Sequence, residues 1–105
     1  MPKVEIPLDM RKVRKAAGKA TAMLRVLANE DRLLLLCQLA EGEKNVGELE
    51  QLLDIRQPTL SQQLGILRKE GLVETRRDGK NIYYAIADRK ELTLLKTLYE
   101  LYCQK

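Results

Sequence analysis

The 105-residue sequence predicts a mainly α-helical protein with one small β-hairpin, in the order α-α-α-α-β-β-α. Three observations predict it. Leu60, Leu64 and Leu67 recur at helical spacing between a proline at 58 and a glycine at 71. The hydrophobic period then changes to alternation across residues 72–86, around an Asp78-Gly79-Lys80 turn. The apolar residues of the last segment fill an arc about twice as wide as one core contact needs, which predicts a homodimer. A hydrophobic content of 45% makes the chain globular, and its length suits a single domain with one core.

Residues 1–8 contain Pro2 and Pro7 and read as a flexible N-terminal arm before a single domain over residues 9–105. Asp9 caps a helix that runs to about Ala28. Val13, Ala16, Ala17, Ala20, Met23, Leu24 and Leu27 fall on one face, and Arg11, Lys12, Arg14, Lys15, Lys19 and Arg25 take the rest. Three alanines permit close helix–helix approach, so this stripe suits a dimer seam as well as a core face. Asn29 or Glu30 opens a second helix over residues 31–40, whose four consecutive leucines, Leu33 to Leu36, predict burial on every side. Cys37 lies between Leu33 and Leu34 on that surface. After a turn over residues 41–44, Asn45 and Glu48 form a capping box for a short helix that buries Val46, Leu49, Leu52 and Leu53.

Asp54-Ile55-Arg56 links this helix tightly to the next. There Pro58 suits the first helical position, Gln57 before it is extended, and Gly71 suits a left-handed terminus. Two helices joined by so short a turn make a helix-turn-helix. With the three leucines turned to the core, Gln62, Gly65, Ile66 and Lys69 form the free face, and Thr59, Ser61, Gln63 and Arg68 flank it. Amides can read adenine edges in a major groove, hydroxyls reach bases or phosphates, and cations sit on phosphates. Gly65 costs about 1 kcal/mol against alanine inside a helix, and on this face it lets the backbone approach DNA. An ordinary amphipathic surface helix fits this segment alone equally well.

The hairpin changes the balance. Residues 72–77 and 81–86 form two strands, with Ile82, Tyr84 and Ile86 alternating toward one face. Arg76, Arg77, Lys80 and Asn81 gather at the tip beside Tyr83. A basic hairpin directly after a candidate recognition helix is a wing, so the architecture is a winged helix-turn-helix for double-stranded DNA. The net charge of +4 agrees modestly with a polyanionic partner. Asp88 and Glu91 then make a second capping box, and Leu92, Leu94, Leu95, Leu98, Tyr99, Leu101, Tyr102 and Cys103 fill an arc of about 200°.

The chain has no histidine, which removes the commonest general base and metal ligand together. With no nucleophile motif and no phosphate loop either, no enzyme, cofactor or metal is expected. Two cysteines, Cys37 and Cys103, are too few for a secreted disulfide scaffold. Charges at Lys3, Glu5 and Asp9 leave no signal-peptide core, and the longest apolar run, residues 33–37, is too short to span a bilayer. A cytoplasmic location is expected.

The order of elements resembles that of ArsR-type winged helix-turn-helix repressors over essentially the whole chain. Leu27-Ala28-Asn29-Glu30-Asp31-Arg32-Leu33 resembles the start of that family's second helix. Residues 58–68 followed by Gly71-Leu72-Val73 resemble its recognition helix and first wing strand. The metal-sensing members carry clustered cysteines or histidines, and this sequence departs from both patterns: two thiols leave a structural Zn²⁺ short of four ligands. One cysteine in the second helix and one at the end of the last resembles the dithiol, BigR/SqrR/HlyU-like branch. That resemblance implies a sensor of reactive sulfur species or oxidants that releases operator DNA when Cys37 and Cys103 are persulfidated or crosslinked.

The residues alone also allow buried thiols as small hydrophobes. Leu33, Leu34, Ala40 and Glu41 around Cys37 give no reason for a lowered thiol pKa, whereas Cys103 near the chain end is within reach of reagents. Three other readings therefore stand beside the sensor: a regulator with structural cysteines and a different signal, a metalloid sensor using both cysteines, and a non-DNA interaction module. An ordinary disulfide needs Cα atoms within about 7 Å, while a chain of several sulfurs spans more, so separation decides which oxidant can bridge the pair.

The expected DNA contacts are Gln57, Thr59, Ser61, Gln62 and Gln63 on bases or adjacent phosphates, and Arg68, Arg76, Arg77 and Lys80 on phosphates, with Asn81 and Tyr83 supporting the wing. The expected dimer face comprises Val13, Ala17, Ala20, Leu24, Leu94, Leu98, Leu101 and Tyr102. It would set two recognition helices about 34 Å apart for an inverted-repeat operator.

Overall fold

The computed structural model describes residues 5–103. The elements are α1 (Met10–Leu27), α2 (Glu30–Leu39), β1 (Lys44–Asn45), α3 (Val46–Leu53), α4 (Thr59–Lys69), β2 (Val73–Asp78), β3 (Asn81–Ile86) and α5 (Arg89–Tyr102). The three strands form one antiparallel sheet in the order β1-β3-β2. β1 was not expected. It is two residues long, too short to carry a period, and exists because Lys44 and Asn45 pair with Tyr84 and Tyr83. Of the expected N-terminal arm, residues 1–4 lie outside the described residues, and Glu5 to Leu8 carry no regular structure.

Local chemistry fixes most helix ends. Asp9 accepts from the Arg11 N–H at 3.0 Å and Asn29 from the Arg32 N–H at 3.0 Å, starting α1 and α2. Asn45 and Glu48 form both halves of the capping box that starts α3. α4 ends as its glycine predicts. Gly71 has φ +78°, its N–H bonds the Arg68 carbonyl at 3.1 Å, and the Leu72 N–H bonds the Leu67 carbonyl at 2.9 Å. Leu67 and Leu72, which this double bond brings together, are both buried.

Leu60, Leu64 and Leu67 of α4 are buried as expected, against Leu35, Leu36 and Leu39 of α2, Leu49 of α3 and Leu95 of α5. Each such leucine contributes about 2 kcal/mol of apolar burial. This core sets the direction of α4, because turning its leucine stripe inward turns residues 62, 65, 66 and 69 outward.

Four expectations need correction, and of the two alternatives for the α1 stripe the core face holds only at its C-terminal end. α2 is not buried all round: Leu34 is 41% exposed and Cys37 is exposed, since α3, α4 and the sheet cover only the side bearing Leu35, Leu36 and Leu39. Leu52 of α3 is 54% exposed rather than buried, because Leu49 and half-buried Val46 and Leu53 already fill the contact with the core. The α1 stripe meets no core over most of its length. Val26, outside that stripe, is the buried residue of α1, with Met23 and Leu27 packed beside it. Pro58 is the N-cap of α4 instead of its first helical residue, after a cis Gln57–Pro58 bond, and the helix begins at Thr59. Finally, Asp88 and Glu91 do not form a capping box. Asp88 accepts from the Lys90 N–H at 2.9 Å, and the Glu91 side chain is drawn into the interior.

Candidate nucleic-acid interface and thiol pair

The candidate reading face is the outer side of α4. Ser61, Gln62, Gly65, Ile66 and Arg68 are exposed along it, and Thr59 is half-buried at its start. A Cβ built on Gly65 meets nothing within 4 Å, so no intramolecular packing requires the glycine. Arg68 and Lys69 lie in the last turn, where they also complement the helix dipole.

Two of the expected readers are engaged within the protein. The Gln57 side-chain Oε1 accepts from the Ser61 N–H at 3.1 Å and so caps α4, whose N-cap proline has no side-chain acceptor to do this. Gln63 is half-buried, and its Oε1 accepts from Arg32 Nη1 at 3.0 Å. The same guanidinium donates from Nε to the Val26 carbonyl at 2.7 Å and from Nη2 to the Arg25 carbonyl at 3.4 Å. Arg32 thus ties the end of α1 and the start of α2 to α4. Composition and spacing gave no role to Arg32, because its partner lies 31 residues away in sequence.

The wing carries Arg77, Lys80 and Asn81 exposed near its tip, where Asp78 pairs with Asn81 and residues 79 and 80 make the turn. Arg76 is held differently. Its Nε donates to both carboxylate oxygens of Glu43 at 3.0 Å, and its guanidinium lies 4.7 Å from the Tyr83 ring centroid. The Arg76 hydrogen bond holds the Glu43 carboxyl below its usual pKa, and the same bond raises Arg76. Glu43 is the second residue that sequence reasoning missed, 33 positions from its partner. The cationic set of the wing is therefore Arg77 and Lys80, with Arg76 partly neutralised.

The thiols lie away from the α4 face. Cys37 lines an apolar pocket of about 380 Å³ with Ala40 and Glu41 of the α2 end and Leu92, Leu95, Lys96 and Tyr99 of α5. Burial pushes the Cys37 thiol pKa up, and the neighbouring Cys103 thiol adds to the rise. Cys103 caps the C-terminus of α5, its N–H bonding the Tyr99 carbonyl at 2.8 Å, and it is exposed. Among the described residues no group of three or more Cys, Asp or Glu side chains is arranged to hold a metal.

The expected dimer residues fall on two open surfaces. On α1, Val13, Ala17, Ala20 and Leu24 are exposed; on α5, Leu101 and Tyr102 are exposed while Leu94 and Leu98 are half-buried. No described helix is long and apolar enough to cross a membrane.

Residues 29–75, which hold α2, β1, α3, α4 and the start of the wing, match the family described as bacterial regulatory protein, arsR family. The chain is 49% identical to the biofilm growth-associated repressor of Agrobacterium fabrum, over 95% of this chain and 90% of that protein. Its fold is similar to the crystal structure of the transcriptional repressor BigR from Xylella fastidiosa, with a TM-score of 0.89, 45% identity, and coverage of 93% and 100% of the two chains. It is also similar to a homodimeric winged helix-turn-helix DNA-binding domain from Mycobacterium bovis, with a TM-score of 0.74, 30% identity, and coverage of 92% and 89%. These relatives are regulators, not enzymes. The chain belongs to the ArsR family of bacterial regulatory proteins and is a DNA-binding transcriptional regulator with a winged helix-turn-helix fold.

Proposed function

We propose that the protein is a homodimeric repressor that binds an inverted-repeat operator and releases it when Cys37 and Cys103 are joined by sulfur. The observation that carries this reading is the pocket between α2 and α5. One thiol lines it and the other follows one helical turn after Tyr99 on its wall, close enough to raise the first thiol's pKa. The two repressors described above support repression, and the homodimeric relative supports the dimer.

The chemistry balances without a metal or cofactor. The Cys103 thiolate attacks a sulfane sulfur of a hydrogen polysulfide, an S–S bond breaks, and hydrosulfide leaves with the electron pair. The Cys37 thiolate then attacks the sulfur next to the free end of the attached chain and expels a second hydrosulfide. Two thiolates are oxidised by two electrons, and the polysulfide is reduced by the same two. Cys37 acts second because its raised pKa leaves little thiolate at neutral pH. The bridge ties α2, which packs behind α4, to α5, and so favours a dimer state with recognition helices wrongly spaced for DNA.

Fluorescence anisotropy with operator duplex, before and after treatment with sodium tetrasulfide, tests this. Wild type should lose at least tenfold in affinity, with a Cys37–Cys103 peptide pair linked by extra sulfur in its mass spectrum. Cys37→Ser and Cys103→Ser should keep their affinity. Unchanged wild-type affinity, or equal loss in the serine variants, would show the thiols to be structural.

A further inference from the structure

We propose that Arg32 is a positioning residue that turns the N–H₂ end of Gln63 toward DNA, selecting guanine at one position of each operator half-site. A guanidinium has five N–H donors and no acceptor, so the Gln63 amide must present its oxygen to Arg32. The guanidinium is itself held by the Val26 and Arg25 carbonyls, and the Arg32 backbone N–H is held by Asn29. With four such bonds Arg32 is a fixed point, and it fixes which end of the Gln63 amide remains free.

The consequence is chemical. Reading adenine takes both ends of an amide, the oxygen accepting from N6–H₂ and the nitrogen donating to N7. Gln63 has one lone pair of its oxygen engaged by Arg32, so its oxygen is turned toward α2 and its two N–H groups are the end presented to DNA. In the major groove guanine presents two adjacent acceptors, O6 and N7, whereas adenine sets an N6–H₂ donor beside its N7. An amide that presents its N–H₂ end fits guanine and is repelled by the adenine donor. Gln63 lies in the N-terminal half of α4, the part of a recognition helix that reaches base edges. Gln62, exposed and with no side-chain hydrogen bond among the described residues, keeps both ends of its amide and with them the capacity to read adenine. Two adjacent glutamines of identical chemistry therefore read different bases, and the difference is set by an arginine on another helix.

The inference rests on the placement of α4 in a major groove, and the experiment separates failure of one from failure of the other. A randomised duplex library is selected with wild-type protein, and single-base variants of the selected duplex are titrated by anisotropy. Wild type should prefer guanine over adenine about tenfold at one position in each half-site. Gln63→Glu keeps an oxygen for Arg32 but replaces the free N–H₂ with an acceptor. It should lose that preference, turn to the N4–H₂ donor of cytosine there, and leave the other positions unchanged. Arg32→Met releases the Gln63 oxygen and should move the preference at that position from guanine toward adenine. Equal weakening of every duplex by Gln63→Glu would place Gln63 on phosphate and overturn the proposal. So would a guanine preference that survives in folded Arg32→Met. If circular dichroism shows Arg32→Met unfolded, Gln63→Glu, which retains the Arg32 contact, decides alone. If neither Gln62→Ala nor Gln63→Glu alters any base preference, the placement of α4 itself is wrong.

Discussion

Glu91 is 3% exposed, and its Oε1 has no hydrogen-bond partner among the described residues. It lines a cavity of about 180 Å³ with Met23 and Val26 of α1 and Leu72 after α4; Lys19, Glu70 and Asp88 are the charged groups on its walls. Burial pushes its carboxyl up to about 7, against a smaller lowering by the Asp88 backbone N–H. Below pH 4.5 the group is protonated folded and unfolded alike, and stability has no slope from it. Between 4.5 and about 7 the unfolded chain has released a proton that the folded chain keeps, so stability falls as pH rises. Above about 7 the loss is complete. Urea unfolding should show wild type losing on the order of 2 kcal/mol from this residue between pH 5 and 8, and Glu91→Gln should lack that decline. A variant with the wild-type slope would assign the pH dependence to another group. The sequence placed Glu91 correctly three residues after a capping residue, but a capping box is a local rule. Here burial against α1 and the α4–β2 junction, which no local pattern reports, overrides it.

At the scale of elements, α4 was legible because everything that shapes it is nearby: the leucine stripe, Gly71 and the basic last turn lie within fifteen residues. The Asn45–Glu48 box was legible for the same reason. What stayed hidden were pairings across the chain, Arg32 with Gln63, Arg76 with Glu43, and β1 with β3. These revise the wing. Lys80 is exposed at the turn, whereas the Arg76 guanidinium already holds a carboxylate. A phosphate must compete with Glu43 for Arg76, and one released counterion is offset by one broken ion pair. Lys80→Ala should therefore reduce the slope of log affinity against log salt by about 0.9, the value for one phosphate contact on duplex DNA. Arg76→Ala should change it by clearly less, and Glu43→Gln should steepen it. Equal slopes for Lys80→Ala and Arg76→Ala would mean that Arg76 leaves Glu43 on binding DNA.

At the scale of the whole molecule, apolar side chains stand open on two helices. Along α1, Val13 and Leu24 are open, and on α5 so are Leu92, Tyr99, Leu101 and Tyr102, the last 81% exposed. Monomeric proteins rarely expose contiguous apolar patches beyond a few hundred Å², and a twofold dimer covers the same patch on both copies with one contact. The four leucines of α2 fit this picture, since the side bearing Leu34 and Cys37 was expected to be covered and is open in one chain. Leu101 is the informative position, because its exposed side chain is no part of the core of the single chain. Leu101→Glu should fold with wild-type circular dichroism and sediment as a monomer at concentrations where wild type is a dimer. Its operator affinity should fall by at least a hundredfold, because two linked half-sites give an avidity that one lacks. Binding to an isolated half-site should change little, because α4 and the wing are untouched. A Leu101→Glu protein that remains dimeric and binds the full operator normally would move the interface to the α1 stripe alone, and with it the route by which a Cys37–Cys103 bridge alters recognition-helix spacing.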